Sequence, residues 1–163
     1  MYQVGHYGAA LLAYTPLGTV IALGGYETVA IVGALVCVAL STLPDCDHRI
    51  PMLEHRGPTH SLAFALFVGA GLAAVTAVLI DAASPLVDVG FVAFAFVVGT
   101  LSIVSHLLAD ALTPMGIRPF WPLSNRHYTL SVTPAANPLA NYVLFGIGVG
   151  AILVGVTVVA VLG

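Results

Sequence analysis

Val89–Pro114 reads VGFVAFAFVVGTLSIVSHLLADALTP, and this stretch decides the fold. From Val89 to Ser105 it holds no ionisable side chain. An apolar run of this kind, at ~1.5 Å rise per residue, reaches across a bilayer core of ~30 Å. In hydrocarbon every backbone group must be bonded within its own segment, so the run is a transmembrane helix, placed at Val89–Ala109. Its far end carries His106 and Asp110, spaced i, i+4. That spacing stacks both side chains on one helix face, about 5–6 Å apart at Cβ. Ionisable groups at membrane depth are costly and usually mark function.

Working outward, four more apolar runs are span candidates: Tyr7–Tyr26, Thr28–Leu43, Ser61–Ile80 and Leu139–Gly163. Thr15-Pro16 is expected to kink the first. The second is short and joined to the first by little more than Glu27, which makes the two a tight hairpin. The expected fold is all-α: a multi-pass bundle of about five transmembrane helices in the cell (plasma) membrane, forming a single domain over 1–163. Composition agrees. The 163 residues are 60% hydrophobic and 7% charged, with mean hydropathy +1.06. A soluble domain runs near ~45–50% apolar and ~25% charged. A basic n-region and cleavage site are lacking at the start, so the first span reads as retained. Cys37 and Cys46 make no disulfide framework. On one helix they would lie roughly 13 Å apart, too far to bridge.

The charges exclude as much as they suggest. Four Arg and no Lys stand against seven Asp plus Glu, a net charge of −3. That argues against nucleic acid as a partner, and the missing Lys excludes a Walker A site and a Schiff base. Followed along the spans, all six His, all four Arg, Glu54 and three of the five Asp fall at one membrane face. The other keeps Glu27, Asp81 and Asp88. Arg-bearing loops stay cytoplasmic under the positive-inside rule, which puts this polar face inside.

Four separated segments bring His or carboxylate to that face. His6 precedes the first span. Pro44-Asp45-Cys46-Asp47-His48 follows the second; in an extended segment Asp45 and Asp47 point the same way. His55-Arg56-Gly57-Pro58-Thr59-His60 precedes the third, with Thr59 or Ser61 as its N-cap. His106 and Asp110 close the fourth. Each piece alone has a plainer reading: a His–Asp staple between helices, or an acidic cap in solvent. Cys46 reads as a small buried thiol before a zinc ligand. Together they point to metal, with His6, Asp45, Asp47, His48, His60, His106 and Asp110 as candidate ligands. His and carboxylate donors suit Zn²⁺ first, with Mn²⁺ or Fe²⁺ as alternatives, and so many ligands imply two or three ions. Such a centre activates water and steadies a phosphoryl or acyl transition state. Asp47, His55 and Arg56 are the candidates for catalysis. Arg56, Arg118 and Arg126 are placed to clamp a phosphate, and Arg118 and Arg126 equally to anchor on anionic headgroups.

The stretch at about 114–138 holds Pro114, Pro119, Pro122 and Pro134 with Phe120, Trp121 and Tyr128. Without periodicity, and with aromatics suited to the interface, it reads as a lid on the headgroups. Gly146, Gly148 and Gly150, like Gly69 and Gly71, read as helix-packing glycines.

Three motifs carry a resemblance: Pro44-Asp45-x-Asp47-His48, then His55-Arg56-Gly57-Pro58-Thr59-His60-Ser61, then His106-x-x-x-Asp110-x-x-Thr113-Pro114-x-Gly116. Together with Arg118-Pro-Phe-Trp-Pro122 they resemble the YdjM-like family of membrane-bound, metal-dependent hydrolases, from about Gly5 to Ser131. More distantly, His106-x-x-x-Asp110 with Gly5-His6 looks like the zinc-dependent phospholipase C and single-strand nuclease superfamily. That likeness implies His6, Asp45, His60, His106 and Asp110 as zinc ligands and a phosphodiester substrate. The expected activity is therefore hydrolysis of a phosphoester in a lipid or lipid-linked substrate, with membrane lipids as partners. Neither Gly-x-Ser-x-Gly nor His-Glu-x-x-His occurs, so serine lipase and zincin signatures are missing. A metal-ion transporter or sensor, and a non-catalytic membrane protein, are the competing readings.

Overall fold

The structure is a computed structural model describing residues 1–49, 57–80 and 84–163, and for 48 and 49 the backbone alone. The expectations for His48, His55 and Arg56 therefore lie outside the described side chains, as do those for Arg49, Glu54 and Asp81. Among the described residues there are five α-helices: α1 (Gln3–Leu23), α2 (Glu27–Leu40), α3 (Leu62–Leu79), α4 (Pro85–Ala111) and α5 (Pro138–Leu162). Two 3₁₀ turns, Leu43–Arg49 and Pro58–His60, lie between α2 and α3.

Local chemistry sets the ends. Ser61 caps α3, its Oγ accepting the Phe64 N–H at 3.1 Å. Asn137 caps α5 by accepting the Ala140 N–H at 3.2 Å. Helix α4 begins four residues ahead of the expected Val89, because Ser84 caps it and Pro85 stands at its first turn. Proline there gives up an N–H that has no helical partner anyway. Helix α1 also starts earlier than the expected Tyr7, its first turn closing on the Tyr2 carbonyl, so His6 lies inside the helix and not before it.

Among the described residues, four segments are long and apolar enough to cross a membrane: Glu27–Asp47, Leu62–Leu79, Pro85–Ala111 and Pro138–Leu162. The first combines α2 with the turn after it. Helix α1 has the length but is less apolar, with His6, Thr15 and Pro16 along it, and it packs against α5, α2 and α4. The outer surface suits lipid: Phe67, Val78 and Leu153 are 73%, 83% and 62% exposed. Inside, Ala10, Tyr14, Cys37 and Val98 form the apolar core, where the Tyr14 hydroxyl donates to the Ala30 carbonyl at 2.7 Å.

Helix crossings are set by glycine at two of the five expected positions, Gly148 and Gly69, and at their partners Gly8 and Gly99. A Cβ on Gly148 would strike the Gly8 carbonyl, and one on Gly8 would lie 2.5 Å from Phe145 Cα. Helices α3 and α4 touch at Gly69 and Gly99 in the same manner. Gly71, Gly146 and Gly150 have nothing within 4 Å where a Cβ would stand, so the packing role expected of them belongs to their neighbours Gly69 and Gly148. This topology leaves the start of α1, the end of α2, the start of α3 and the end of α4 meeting at one end of the bundle.

Candidate metal centre

At that end the buried polar side chains collect: His6, Asp47, His60, His106 and Asp110 are each at most 2% exposed. Asp45, His60, His106 and Asp110 offer one ligand atom apiece, all within 4.8 Å of one another. His60 Nε2 lies 3.1 Å from His106 Nε2. Asp110 Oδ2 lies 3.5 Å from both, and Asp45 Oδ1 lies 3.6 Å from His60 and 3.7 Å from His106. Four ligands at bond lengths of ~2.0–2.2 Å on one tetrahedral ion stand about 3.4 Å apart. The five separations bracket that value.

The chain fixes which nitrogen of each ring faces inward. His106 Nδ1–H donates to the Ser41 carbonyl at 2.7 Å. A carbonyl only accepts, so the Nε2 of neutral His106 is left with its lone pair. On the far side of His60, Thr59 Oγ1 donates to Asp47 Oδ2 at 2.9 Å and lies 3.0 Å from His60 Nδ1. Asp47 Oδ2 is itself 3.5 Å from that Nδ1. His60 Nδ1–H thus faces a hydroxyl and a carboxylate, and its Nε2 turns to the centre. Two imidazole lone pairs and two carboxylates facing one another in a buried site require a cation between them.

A proton is one such cation. Burial opposes a charge on His60, but the pull of Asp110 and Asp45 and the charge of Asp47 outweigh it, so its pKa lies above the ordinary histidine value. A metal ion competes with that proton for the same lone pair. The Met1 ammonium, which donates to Asp110 Oδ1 at 2.8 Å, is a further positive group at the cluster.

His6 borders the four. Its ring stacks on His106 with centroids 3.8 Å apart and 9° between planes. It is fully buried, and neither nitrogen has a hydrogen-bond partner among the described residues.

Asp47 stands apart from the four ligand atoms. The expectation that Asp45 and Asp47 point the same way fails because Leu43–Arg49 is a 3₁₀ turn and not an extended segment. At three residues per turn, positions i and i+2 differ by about 240°. Asp45 therefore faces the ring nitrogens while Asp47 backs His60. We expect Asp47→Asn to weaken metal binding ~10–100-fold without abolishing it, as loss of a ligand's orienting partner does. Unchanged affinity in a metal titration would contradict this placement.

Cys46 is exposed, not buried, since the same turn points it outward, and it is outside the four-residue group. Cys37 is the buried thiol. Arg126 is exposed and lies over the Tyr128 ring, 5.3 Å from its centroid; Arg118 is half-buried. His127 is exposed and bonds the Met115 carbonyl. The segment carrying them is tied down at several points. Ile117 and Tyr128 form an antiparallel bridge, the Leu62 N–H donates to the Pro119 carbonyl at 2.9 Å, and the Leu130 N–H to the Ala111 carbonyl at 2.7 Å.

Three contributors are not visible in the motifs: the Ser41 carbonyl, Thr59 as more than a cap, and Asn141. The last is fully buried and accepts the Tyr2 N–H at 2.9 Å, fixing the start of α1. An amide inside an apolar span was the available signal. A Cβ on Gly5 would strike that amide, which explains the glycine before His6.

An all-helical membrane bundle with a buried His/Asp cluster at one end is the class of protein these features define. The chain belongs to the YdjM inner membrane protein family, which matches it over residues 1–163. No curated protein matches it, and no solved structure does.

Proposed function

We propose that this chain is a membrane-embedded, metal-dependent hydrolase acting on a phosphoester of a lipid or lipid-linked substrate. The observation that carries the reading is the set of four ligand atoms, drawn from three separate segments and spaced as one tetrahedral ion requires. Zn²⁺ is the first choice for two imidazoles and two carboxylates, with Mn²⁺ or Fe²⁺ next. When bound, such ions supply Lewis acidity and an activated water.

The chain's own groups do the rest. Ser41 and Asp47 with Thr59 hold the two imidazoles in the tautomer that ligates. His60, His106 and Asp110 are sealed, while Asp45 is 27% exposed, so the site opens on the Asp45 side. Arg118 and Arg126 lie on the adjoining segment and favour an anionic headgroup. Motif likeness to the zinc-dependent phospholipase C superfamily supports the same bond type. The Arg-bearing loops favour a cytoplasmic site, with the 114–138 segment as its lid.

Detergent-purified protein loaded with Zn²⁺ or Mn²⁺ is expected to cleave a lipid phosphodiester in mixed micelles, and chelation is expected to stop it. Turnover of a carboxyl ester instead would replace phosphoester by acyl chemistry. No turnover of either by fully loaded protein would favour the transporter or sensor reading.

A further inference from the structure

Away from the metal end, α1, α2 and α5 leave a groove of about 480 Å³ between them. It follows α1 from Leu11 to Ala22 and is lined further by Glu27 and Ala34 of α2 and by Gly155 and Ala160 of α5. Helix α1 packs against both neighbours. Ile31 and Val156, both exposed, also line it and face the surrounding hydrocarbon. Two hydroxyls of the lining are spent on the chain's own backbone: Tyr14 donates to the Ala30 carbonyl and Thr15 to the Leu11 carbonyl, at 2.7 Å each. Glu27 is the one charged residue of the lining.

Shape, charge and length together select the occupant. Spread over the ~16 Å rise from Leu11 to Ala22, the volume gives a mean cross-section of about 30 Å². A helix with its side chains is ~10–12 Å across, a section of about 80–110 Å², and does not enter. A single hydrocarbon chain does. Glu27 stands at the far membrane face, which by sequence holds no Arg, so a phosphate headgroup there meets a carboxylate and no cation. All four Arg and the His/Asp cluster belong to the other face, so the phosphate end lies there. From His6 to Ala22 α1 rises ~24 Å, whereas one leaflet supplies about half of the ~30 Å hydrocarbon core. A chain tethered at the metal end and laid along the whole groove therefore passes the midplane. We infer that this groove is the hydrocarbon subsite of the proposed hydrolase, and that the substrate carries its phosphoester on one chain longer than a leaflet, as a long polyisoprenoid does; this rests on the phosphoester reading and adds the kind of lipid. In a bilayer such a chain exchanges hydrocarbon for hydrocarbon, so the groove holds it by packing contacts and not by hydrophobic transfer.

The test uses the full chain in detergent, loaded with Zn²⁺, with geranyl phosphonate and nonaprenyl phosphonate as short and long probes. Their carbon–phosphorus bond resists hydrolysis, so binding is read apart from turnover, by native mass spectrometry. The long probe is expected to bind more tightly. Ala160→Phe, which puts a ring into the far half of the groove, is expected to weaken the long probe about tenfold and to leave the short one unchanged. Because a longer chain also partitions better into micelles, the variant decides: undiminished binding of the long probe would overturn the subsite. A variant that loses both probes has lost its fold, and Ala22→Phe on the neighbouring helix then decides in its place. A wild-type dimer that Ala160→Phe dissociates would give the groove to a second copy and overturn the proposal. Length-selective binding without turnover of a nonaprenyl phosphodiester would overturn hydrolysis and leave the hydrocarbon site standing. Turnover indifferent to chain length would do the reverse.

Discussion

His106→Ala is expected to empty the metal centre, with affinity falling by more than about 100-fold. Loss of an orienting partner alone costs ~10–100-fold, and this variant removes a ligand together with its orientation. His106 Nε2 lies at the middle of the cluster, 3.1 Å from His60 Nε2 and 3.5 Å from Asp110 Oδ2. Its Nδ1–H also satisfies the buried Ser41 carbonyl, so truncation leaves that acceptor without its donor. Metal content of washed protein is the readout, with a competition titration to rank the variants. Free imidazole added to the variant is expected to restore part of the binding by occupying the space vacated. Metal content equal to wild type would remove His106 from the ligand set and, with it, the basis for a metal-dependent activity.

Gly148→Leu is expected to give the largest loss of folded protein among variants outside the cluster. A Cβ at Gly148 would overlap the backbone carbonyl of Gly8, and no side-chain rearrangement relieves a clash with backbone. Overpacking an ordinary core site costs ~1–3 kcal/mol, and this position belongs at or above the upper end because α1 and α5 must separate. The control is built into the same helix. Gly150→Leu adds the same bulk where nothing stands within 4 Å. Thermal midpoints from size-exclusion chromatography after heating should drop for the first and stay near wild type for the second. Equal behaviour of the two would show that the α1–α5 crossing is not where the structure puts it.

Much of this architecture is legible in the chain because hydrocarbon leaves little choice. A run such as Val89–Ala109 has only the helical solution, and a His and an Asp at its end cannot be idle. The convergence of His6, Asp45, His60, His106 and Asp110 follows from counting spans and noting at which end each polar residue falls. What the chain hides is local rotation. Asp45 and Asp47 are indistinguishable in sequence, and only the 3₁₀ turn separates a group facing the ring nitrogens from one facing His60 from behind. Glycines pose the same difficulty: Gly146, Gly148 and Gly150 share a spacing pattern, and the register of α1 against α5 picks out the middle one. The Ser41 carbonyl is invisible for a further reason, since every residue has one and only the end of α2 makes this one available.

That carbonyl also explains the length of α2. The α-helical part stops after 14 residues at Leu40, well short of a bilayer. One more α turn would hand the Ser41 carbonyl to the backbone N–H of Asp45, four residues on. The tighter 3₁₀ path would hand it to residue 44, but that residue is Pro44, which has no N–H to give. The carbonyl therefore remains for His106, and Asp45 is carried off the helical path toward the His60 and His106 nitrogens. The point at which this segment abandons the α-helix is accordingly set by Pro44 and by the carbonyl that His106 takes up, and not by the thickness of the lipid around it.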